Sequence, residues 1–244
     1  MRRVYTTIAV LLFAGAAMLS PLIHRGAVQA AAGVLVTIPG DNYAPAAVMI
    51  EAGQTVTWIN KDSDPHVTTT VPGTPQAFTL VHAPGKPVSF KFTKPGVYPY
   101  YCLDHATFNT ASRRVAARKE SDAFPLAMEG LIVVKGPGFT GAPAATVTIS
   151  GGAYGPDVAV VRAGGKVTWV NDDTRTHTPV LVQAGRPKFD LAAGKSHSVT
   201  FATPGIYFFY DEGSATYNPK FGLAAAKKGA PHFPIAMQGF VVVL

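Results

Sequence analysis

The feature that most constrains the fold of this chain is that its sequence repeats. Residues 36–58, VTIPGDNYAPAAVMIEAGQTVTW, match residues 147–169, VTISGGAYGPDVAVVRAGGKVTW, at an offset of 111. After a two-residue deletion, FTKPGVYPYY at 92–101 matches FATPGIYFFY at 201–210, and the new offset of 109 continues to the end of the chain. Chance similarity does not keep register over such a distance, so we interpret the chain as an internal duplication.

The duplication predicts how the chain divides into domains. Residues 137–145, between the two copies, are rich in Gly and Pro, which predicts a linker. The first domain is then 33–136 and the second 146–244. Residues 1–30 precede both copies and are predicted to be a signal peptide, because a basic start is followed by an apolar core and by small residues near Ala30.

A signal peptide would place the mature chain in the periplasm or outside the cell. An uncleaved membrane anchor is the alternative, but the apolar run is short for a span of about 20 residues. We therefore expect no stable membrane insertion once the signal is removed. Loss of residues 1–30 lowers the formal charge from +7 to +4, and the remainder has no Lys/Arg tract of the kind that binds nucleic acid.

Within each copy the residue patterns are those of strands. TVTWIN at 55–60 and VSFKF at 88–92 alternate apolar and polar positions, while GLIVV at 130–134 is continuously apolar. Seven or eight short strands per copy predict an all-β chain of two tandem Greek-key β-sandwiches. Each copy also carries an inserted loop of roughly 20 residues before its last strand. Trp58 and Trp169 occupy equivalent positions and are predicted to be core residues.

The single cysteine of the chain, Cys102, lies in YPYYCLDH, three residues before His105. In an oxidising compartment cysteines normally pair, so a lone one is a packed thiol, an intermolecular bridge or a ligand. His66 follows a predicted strand, and Met128 directly precedes the last strand of the first copy. Two imidazoles, a thiolate and a weak thioether form the ligand set of a mononuclear copper site, which favours the third interpretation.

Residues 34–134 resemble the cupredoxins, on the segments VTWIN…PH, PGVYPYYCLDH and MEGLIVV. The C-x-x-H spacing is similar to that of plastocyanin and pseudoazurin. The resemblance implies one type 1 copper with His66, Cys102 and His105 as equatorial ligands and Met128 as the axial ligand. It also implies that His105 lies nearest solvent and is the electron port. Plastocyanin-like proteins place the methionine a few residues after the second histidine, whereas here the two are 23 apart.

Several residues around this set carry predictions of their own. Asn60 is predicted to order the ligand loops, as polar groups behind metal ligands do. His82 and His197 fall in turn-like segments and are predicted to lie on the surface. The insertion 106–127 either docks an acidic redox partner or only solubilises the chain. Its basic residues are Arg113, Arg114, Arg118 and Lys119.

The second copy keeps the repeat but loses the thiolate and one imidazole, so no type 1 site is expected there. The residues that the alignment places opposite the four candidate ligands are His177, Asp211, Ser214 and Met237. Two interpretations remain open for this half. It is a structural or partner-binding domain, or it holds a harder metal ion on His177 and Asp211, with help from Glu212 or His232.

Together these patterns predict an exported blue-copper electron carrier that is not an enzyme. Its partners would be redox proteins such as c-type cytochromes or copper enzymes. One alternative is a protein that delivers or stores copper. The other is an oxidoreductase resembling two-domain multicopper oxidases or nitrite reductases, although the chain has no H-x-H motif of the kind from which such oxidases build their trinuclear cluster.

Overall fold

A computed structural model describes residues 33–183, 185 and 187–244. The predicted signal peptide, 1–30, lies outside the described residues. Within them all regular secondary structure is β-strand, which confirms the all-β prediction. No helix in the described part of the chain is long and apolar enough to cross a membrane.

Nineteen strands follow one another along the described residues. They are β1 (Val34–Ile38), β2 (Ala47–Glu51), β3 (Thr55–Asn60), β4 (His66–Thr70), β5 (Thr79–His82), β6 (Pro87–Lys91), β7 (Gly96–Cys102), β8 (Ala106–Asn109), β9 (Arg114–Ala117), β10 (Glu129–Lys135), β11 (Ala142–Ser150), β12 (Ala153–Gly155), β13 (Val158–Asn171), β14 (Pro179–Leu181), β15 (Ser196–Phe201), β16 (Gly205–Asp211), β17 (Ala215–Asn218), β18 (Leu223–Ala226) and β19 (Gln238–Val243).

The first ten strands form two sheets and a hairpin. One sheet has the order β1-β3-β6 and the other the order β2-β10-β7-β4-β5. Buried and partly exposed residues alternate along β3 and β7, because successive side chains of a strand point to opposite faces. The buried faces enclose a core around Trp58, Tyr98 and Tyr100, which confirms the prediction for Trp58.

The next nine strands repeat most of this arrangement with one difference. The segments that form β2 and β3 in the first half correspond to a single long strand, β13, in the second. Because β13 pairs with β11, β15 and β19, the second half forms one seven-stranded sheet, with β12 and β14 at its edges. Trp169, on β13, is fully buried among apolar side chains, as predicted.

The insertion before the last strand of each half begins with a hairpin, β8–β9 in the first half and β17–β18 in the second. In the first hairpin Arg113 has a positive φ of 56°, which closes the tight turn before β9. The segment between the halves is shorter than the predicted linker 137–145, because β11 already begins at Ala142. Gly141 there lies directly against the backbone of Val161, so the connection packs onto β13.

Candidate metal centre

Three predicted ligands meet at one end of the first half. His66 opens β4 and Cys102 closes β7; the two strands are antiparallel neighbours, with Thr68 opposite Cys102. His105 follows in the turn before β8. The His66 and His105 Nδ1 atoms are 3.1 Å apart, and Cys102 Sγ lies 3.8 Å from the first and 3.6 Å from the second.

The spacing of these donor atoms fits a single metal ion. With metal–nitrogen and metal–sulfur bonds of about 2.0–2.3 Å, donors around one ion are separated by roughly 3.3–4 Å. The three observed separations lie close to that range. His66 and Cys102 are completely buried and the His105 side chain is 16% exposed, so the site is nearly closed to solvent. The mixture of two imidazoles and a thiolate suits copper.

Carboxylates fix the orientation of both imidazole rings. His66 Nε2 lies 3.0 Å from Asp62 Oδ2, and His105 Nε2 faces Asp41 Oδ1 at 3.4 Å. A ring that donates its Nε2 proton to a carboxylate keeps the lone pair on Nδ1, which is the atom that points toward Cys102 Sγ. The hydrogen bond to Asp62 therefore holds His66 in the tautomer that a metal ion requires, and the longer contact with Asp41 favours the same tautomer for His105.

The buried position of the Cys102 thiol determines its protonation state. Burial raises its pKa above the ordinary value, and backbone hydrogen bonds in the ligand loop lower it only in part. Without a metal the group is thus protonated near neutral pH. A metal ion bound here would displace that proton, since the thiolate is the ligand form.

Met128 reaches the same region from β10. It is fully buried in the core cluster that also contains Cys102, directly before Glu129, the first residue of β10. Its backbone carbonyl accepts a hydrogen bond from the Cys102 amide at 3.0 Å. The 23-residue spacing from His105 does not separate the two, because the insertion returns the chain to the end of β7.

Asn60 behaves as predicted. Its Nδ2 donates to the carbonyls of Asp64 and His82 at 2.7 and 3.0 Å, and its Oδ1 accepts from the Asp62 amide at 2.8 Å. These bonds hold the loop that carries Asp62 and ends at His66. Asn171 makes the equivalent three contacts in the second half, with Arg175, Leu191 and Asp173.

The surface prediction for His82 is wrong. Its side chain is fully buried opposite His66 on the neighbouring strand, and neither ring nitrogen has a hydrogen-bond partner among the described residues. Burial, and to a lesser extent His66, lowers its pKa to about 4, so the ring is neutral. The segment Thr79-Leu80-Val81-His82 carries no alternation that indicates this burial, since the apolar Val81 is 64% exposed. His197 is exposed, as predicted, and stacks on Phe189.

The four basic residues of the insertion do not form one exposed patch. Arg114 is 7% exposed and donates to the Tyr154 carbonyl of the other half at 2.7 Å. Arg113 donates to the Pro72 carbonyl and Arg118 to the Ala106 carbonyl. The docking interpretation of the sequence is therefore wrong for Arg114, which joins the two halves.

The equivalent position in the second half holds a hydrogen-bonded acid–base group. His177 lies between Asp173, 3.0 Å from Nε2, and Asp211, 3.5 Å from Nδ1, and Ser214 donates to Asp211 at 2.8 Å. The contact with Asp211 raises the pKa of His177 although burial opposes it. Although burial raises the pKa of Asp211, the nearby His177 and the hydrogen bonds from Ser214 and the Thr178 amide lower it by more.

The other groups suggested for a harder metal site point elsewhere. Glu212 forms an ion pair with Lys188 at 3.0 Å, and the His232 ring contacts the Gly151 carbonyl. Among the described residues, clusters of three or more potential metal ligands occur only in the first half, where they are His66–Cys102–His105 and Asp41–Asp62–His66.

Comparison with known proteins decides the family. A family model described as copper binding proteins, plastocyanin/azurin family, matches residues 34–112. The plastocyanin of Scenedesmus fuscus is 39% identical over 72 residues, which cover 74% of that protein and 26% of this chain. This chain belongs to the plastocyanin/azurin family of copper-binding proteins. The matched segment contains His66, Cys102 and His105, and copper is the cofactor that the family implies.

Solved structures of amicyanin are also similar to this member of the plastocyanin/azurin family. Amicyanin from Paracoccus versutus (Thiobacillus versutus) is 26% identical, over 43% of this chain and 83% of that one, with a TM-score of 0.32. A Cu(I) amicyanin variant is 26% identical, over 44% and 87% of the two chains, with a TM-score of 0.32.

Proposed function

We propose that this chain is an exported carrier of single electrons with one type 1 copper in its first half, bound by His66, Cys102, His105 and Met128. The observation that carries the proposal is the convergence of two Nδ1 atoms and one thiol sulfur at 3.1–3.8 Å. Bound copper would supply the one-electron Cu(I)/Cu(II) couple. Membership of the plastocyanin/azurin family supports the same function.

The residues of the site would make electron exchange fast by keeping the site rigid. Asp62 and Asp41 restrain His66 and His105. Cys102 is held by its place in β7 and by the hydrogen bond that its backbone amide donates to the Met128 carbonyl. A site that exchanges an electron without moving its ligands has little reorganisation to undergo. The buried sulfur is also shielded from water and oxidants.

A partly exposed route for the electron leads through His105. Its side chain is 16% exposed, whereas His66 is completely buried. We propose that a redox partner, such as a c-type cytochrome or a copper enzyme, approaches on this side.

The proposed domains are 33–136, which carries the copper, and 146–244, which has Asp211 and Ser214 in place of the thiolate and second imidazole. Export would follow from the segment 1–30 and give a periplasmic or secreted protein.

The test is a copper titration of the purified chain followed by visible absorption and redox cycling. We expect an intense thiolate-to-copper charge-transfer band at one copper per chain, lost on reduction and restored on reoxidation. Cys102→Ser should abolish the band, whereas His177→Asn should leave it and the stoichiometry unchanged. A chain without this band would overturn the proposal, and rapid loss of copper to a mild chelator would favour the delivery alternative.

Export is tested separately by expression in a bacterium and analysis of the fractions. A periplasmic form whose N-terminus lies near Ala31 would support cleavage. A full-length form that stays with the membrane would contradict it.

A further inference from the structure

A polar contact between the two halves lies next to the candidate axial ligand. Gln238, the first residue of β19, donates through Nε2 to Glu129 Oε1 of β10. Its own Oε1 accepts the Ala224 amide at 2.7 Å. Both acceptor and donor of the Gln238 amide are thus engaged, which fixes the group in one orientation.

Glu129 is well placed to transmit this restraint to the copper site. It follows Met128 directly, so the two Cα atoms are about 3.8 Å apart. In the β10–β7 pairing it stands opposite Tyr101, the residue before Cys102. The next residue, Gly130, lies against the ring of Tyr100, which leaves the start of β10 little room to shift.

The surroundings of the contact make it specific. Glu129 and Gln238 line a small cavity of about 40 Å³ between the halves, together with Arg114 and Asp157. Gln238 and Arg114 are 9% and 7% exposed. The contact is part-buried and water has limited access to it, so a change at Gln238 removes the partner that holds the Glu129 carboxyl in its present position.

From this geometry we infer that the second half positions the axial side of the copper site, with Gln238 as the positioning residue. It acts through Glu129 on the segment that carries Met128. The second half then has a role in the redox centre without binding a metal. This inference rests on the proposed function, because it concerns the geometry of the same site.

The experiment compares Gln238→Leu with a control at an exposed glutamine, Gln183→Leu. Gln183 lies in the same half and accepts the Phe208 amide at 2.7 Å, so its loss removes one side-chain hydrogen bond away from Glu129. We expect Gln238→Leu to change the intensity ratio of the copper absorption bands and to raise the reduction potential. Displacement of the segment that carries Met128 would weaken donation from its thioether to bound copper. Weaker donation would stabilise Cu(II) less, which is why the potential should rise. Gln183→Leu should leave both at the wild-type values.

A second readout needs no copper. In the metal-free chain, the Met128 methyl resonance in a ¹H–¹³C NMR spectrum should move or broaden in Gln238→Leu and stay unchanged in Gln183→Leu. The double variant Glu129→Gln/Gln238→Glu keeps one donor and one acceptor at the contact with their roles exchanged. We expect it to restore the resonance and the band ratio.

The outcomes separate the inference from the proposed function. The positioning role would be overturned if the wild-type chain shows the copper band and Gln238→Leu matches it in spectrum, reduction potential and Met128 resonance. A wild-type chain without a band would overturn the proposed function, while the metal-free resonance still decides the positioning role. If Gln238→Leu does not fold, failure of the double variant to restore the wild-type resonance and spectrum counts against the inference.

Discussion

Phe124 and Phe233, which the repeat aligns at an offset of 109, contact each other edge-to-face with ring centroids 5.6 Å apart. Glu129 and Gln238 are an equivalent pair at the same offset and also contact each other. Contacts between equivalent residues are the mark of an isologous interface, in which the same patch is used on both sides.

The apolar residues between the halves follow the same rule. One buried cluster contains Leu131 and Val133 from β10 with Val242 from β19, and Phe240 packs against it. Leu131 aligns with Phe240 and Val133 with Val242. The two copies therefore cover each other's apolar face with the corresponding face, as the subunits of a two-fold dimer do.

Truncation in this cluster should destabilise the chain. Leu131 is 1% exposed, so Leu131→Ala removes buried methyl groups and leaves a cavity, at a cost of about 2–5 kcal/mol. Leu35→Ala is the control, because Leu35 is 49% exposed and its loss should cost less than about 0.5 kcal/mol. Denaturant unfolding measures both. Equal effects at the two positions would contradict a packed interface at Leu131.

Gly130 should tolerate no side chain. A Cβ at this position would overlap the ring of Tyr100, which is only 1% exposed. We expect Gly130→Ala to cost about 1–3 kcal/mol or more through overpacking. Gly155→Ala is the matched control, since its Cβ would meet no atom within 4 Å. Thermal unfolding of the two variants checks the difference, and a wild-type midpoint for Gly130→Ala would show that β10 can shift.

Asp41 should lower the reduction potential of the proposed copper site. Its Oδ1 faces His105, and its Oδ2 accepts from Ser121 Oγ at 2.8 Å and from the Asp122 amide at 2.7 Å. Asp41→Asn keeps an acceptor but removes a negative charge that favours Cu(II). A charge interaction of roughly 1 kcal/mol corresponds to about 40 mV for one electron, so we expect a rise of that order.

Spectroelectrochemical titration of the copper-loaded chain measures this shift. Glu51→Gln is the control, because Glu51 is 58% exposed and pairs with Lys135 at the surface. Equal potentials for Asp41→Asn and wild type would show that the carboxylate does not act on the site.

His177 should make stability depend on pH. Its pKa in the folded chain is raised by Asp211, so the folded state holds the proton more tightly than the unfolded state does. The resulting stability is complete below the ordinary histidine pKa of about 6.5 and is lost as pH rises through the raised value. We expect the free energy of unfolding to fall over that window.

Denaturant unfolding from pH 5 to pH 9 measures the slope, and His177→Asn should flatten it. Below about pH 4, outside this range, the opposite sign applies, because the pKa of Asp211 is lowered overall. Its contribution is lost as pH falls through the lowered value. A His177→Asn variant with the wild-type slope would assign the pH dependence to other groups.

Much of the site was predictable because its signals are local. Cys102 and His105 are only three residues apart, and each candidate ligand stands at or next to the end of a strand. The role of Asn60 was predictable for the same reason, since its partners Asp62 and Asp64 are only two and four residues away. The duplication added a comparison within the chain, which predicted the loss of the thiolate at Asp211.

The two wrong predictions, for Arg114 and His82, concern contacts between elements that are distant in sequence. Arg114 looked like a surface residue because it is charged and lies in the insertion, yet packing of the halves buries it against Tyr154. His82 looked like a turn residue, yet the β4–β5 pairing turns it into the core.

The sequence by itself determined the strands, the repeat and the candidate ligand set, because periodicity and residue chemistry act over a few neighbours. Tertiary structure decided that Asp41 faces His105, that Arg114 is enclosed and that Glu129 meets Gln238. These contacts join residues 64, 40 and 109 positions apart. Nothing local favours them. They form because packing within the first half brings Asp41 to His105, and packing of the two halves encloses Arg114 and Gln238, whose buried polar atoms then need partners from distant parts of the chain.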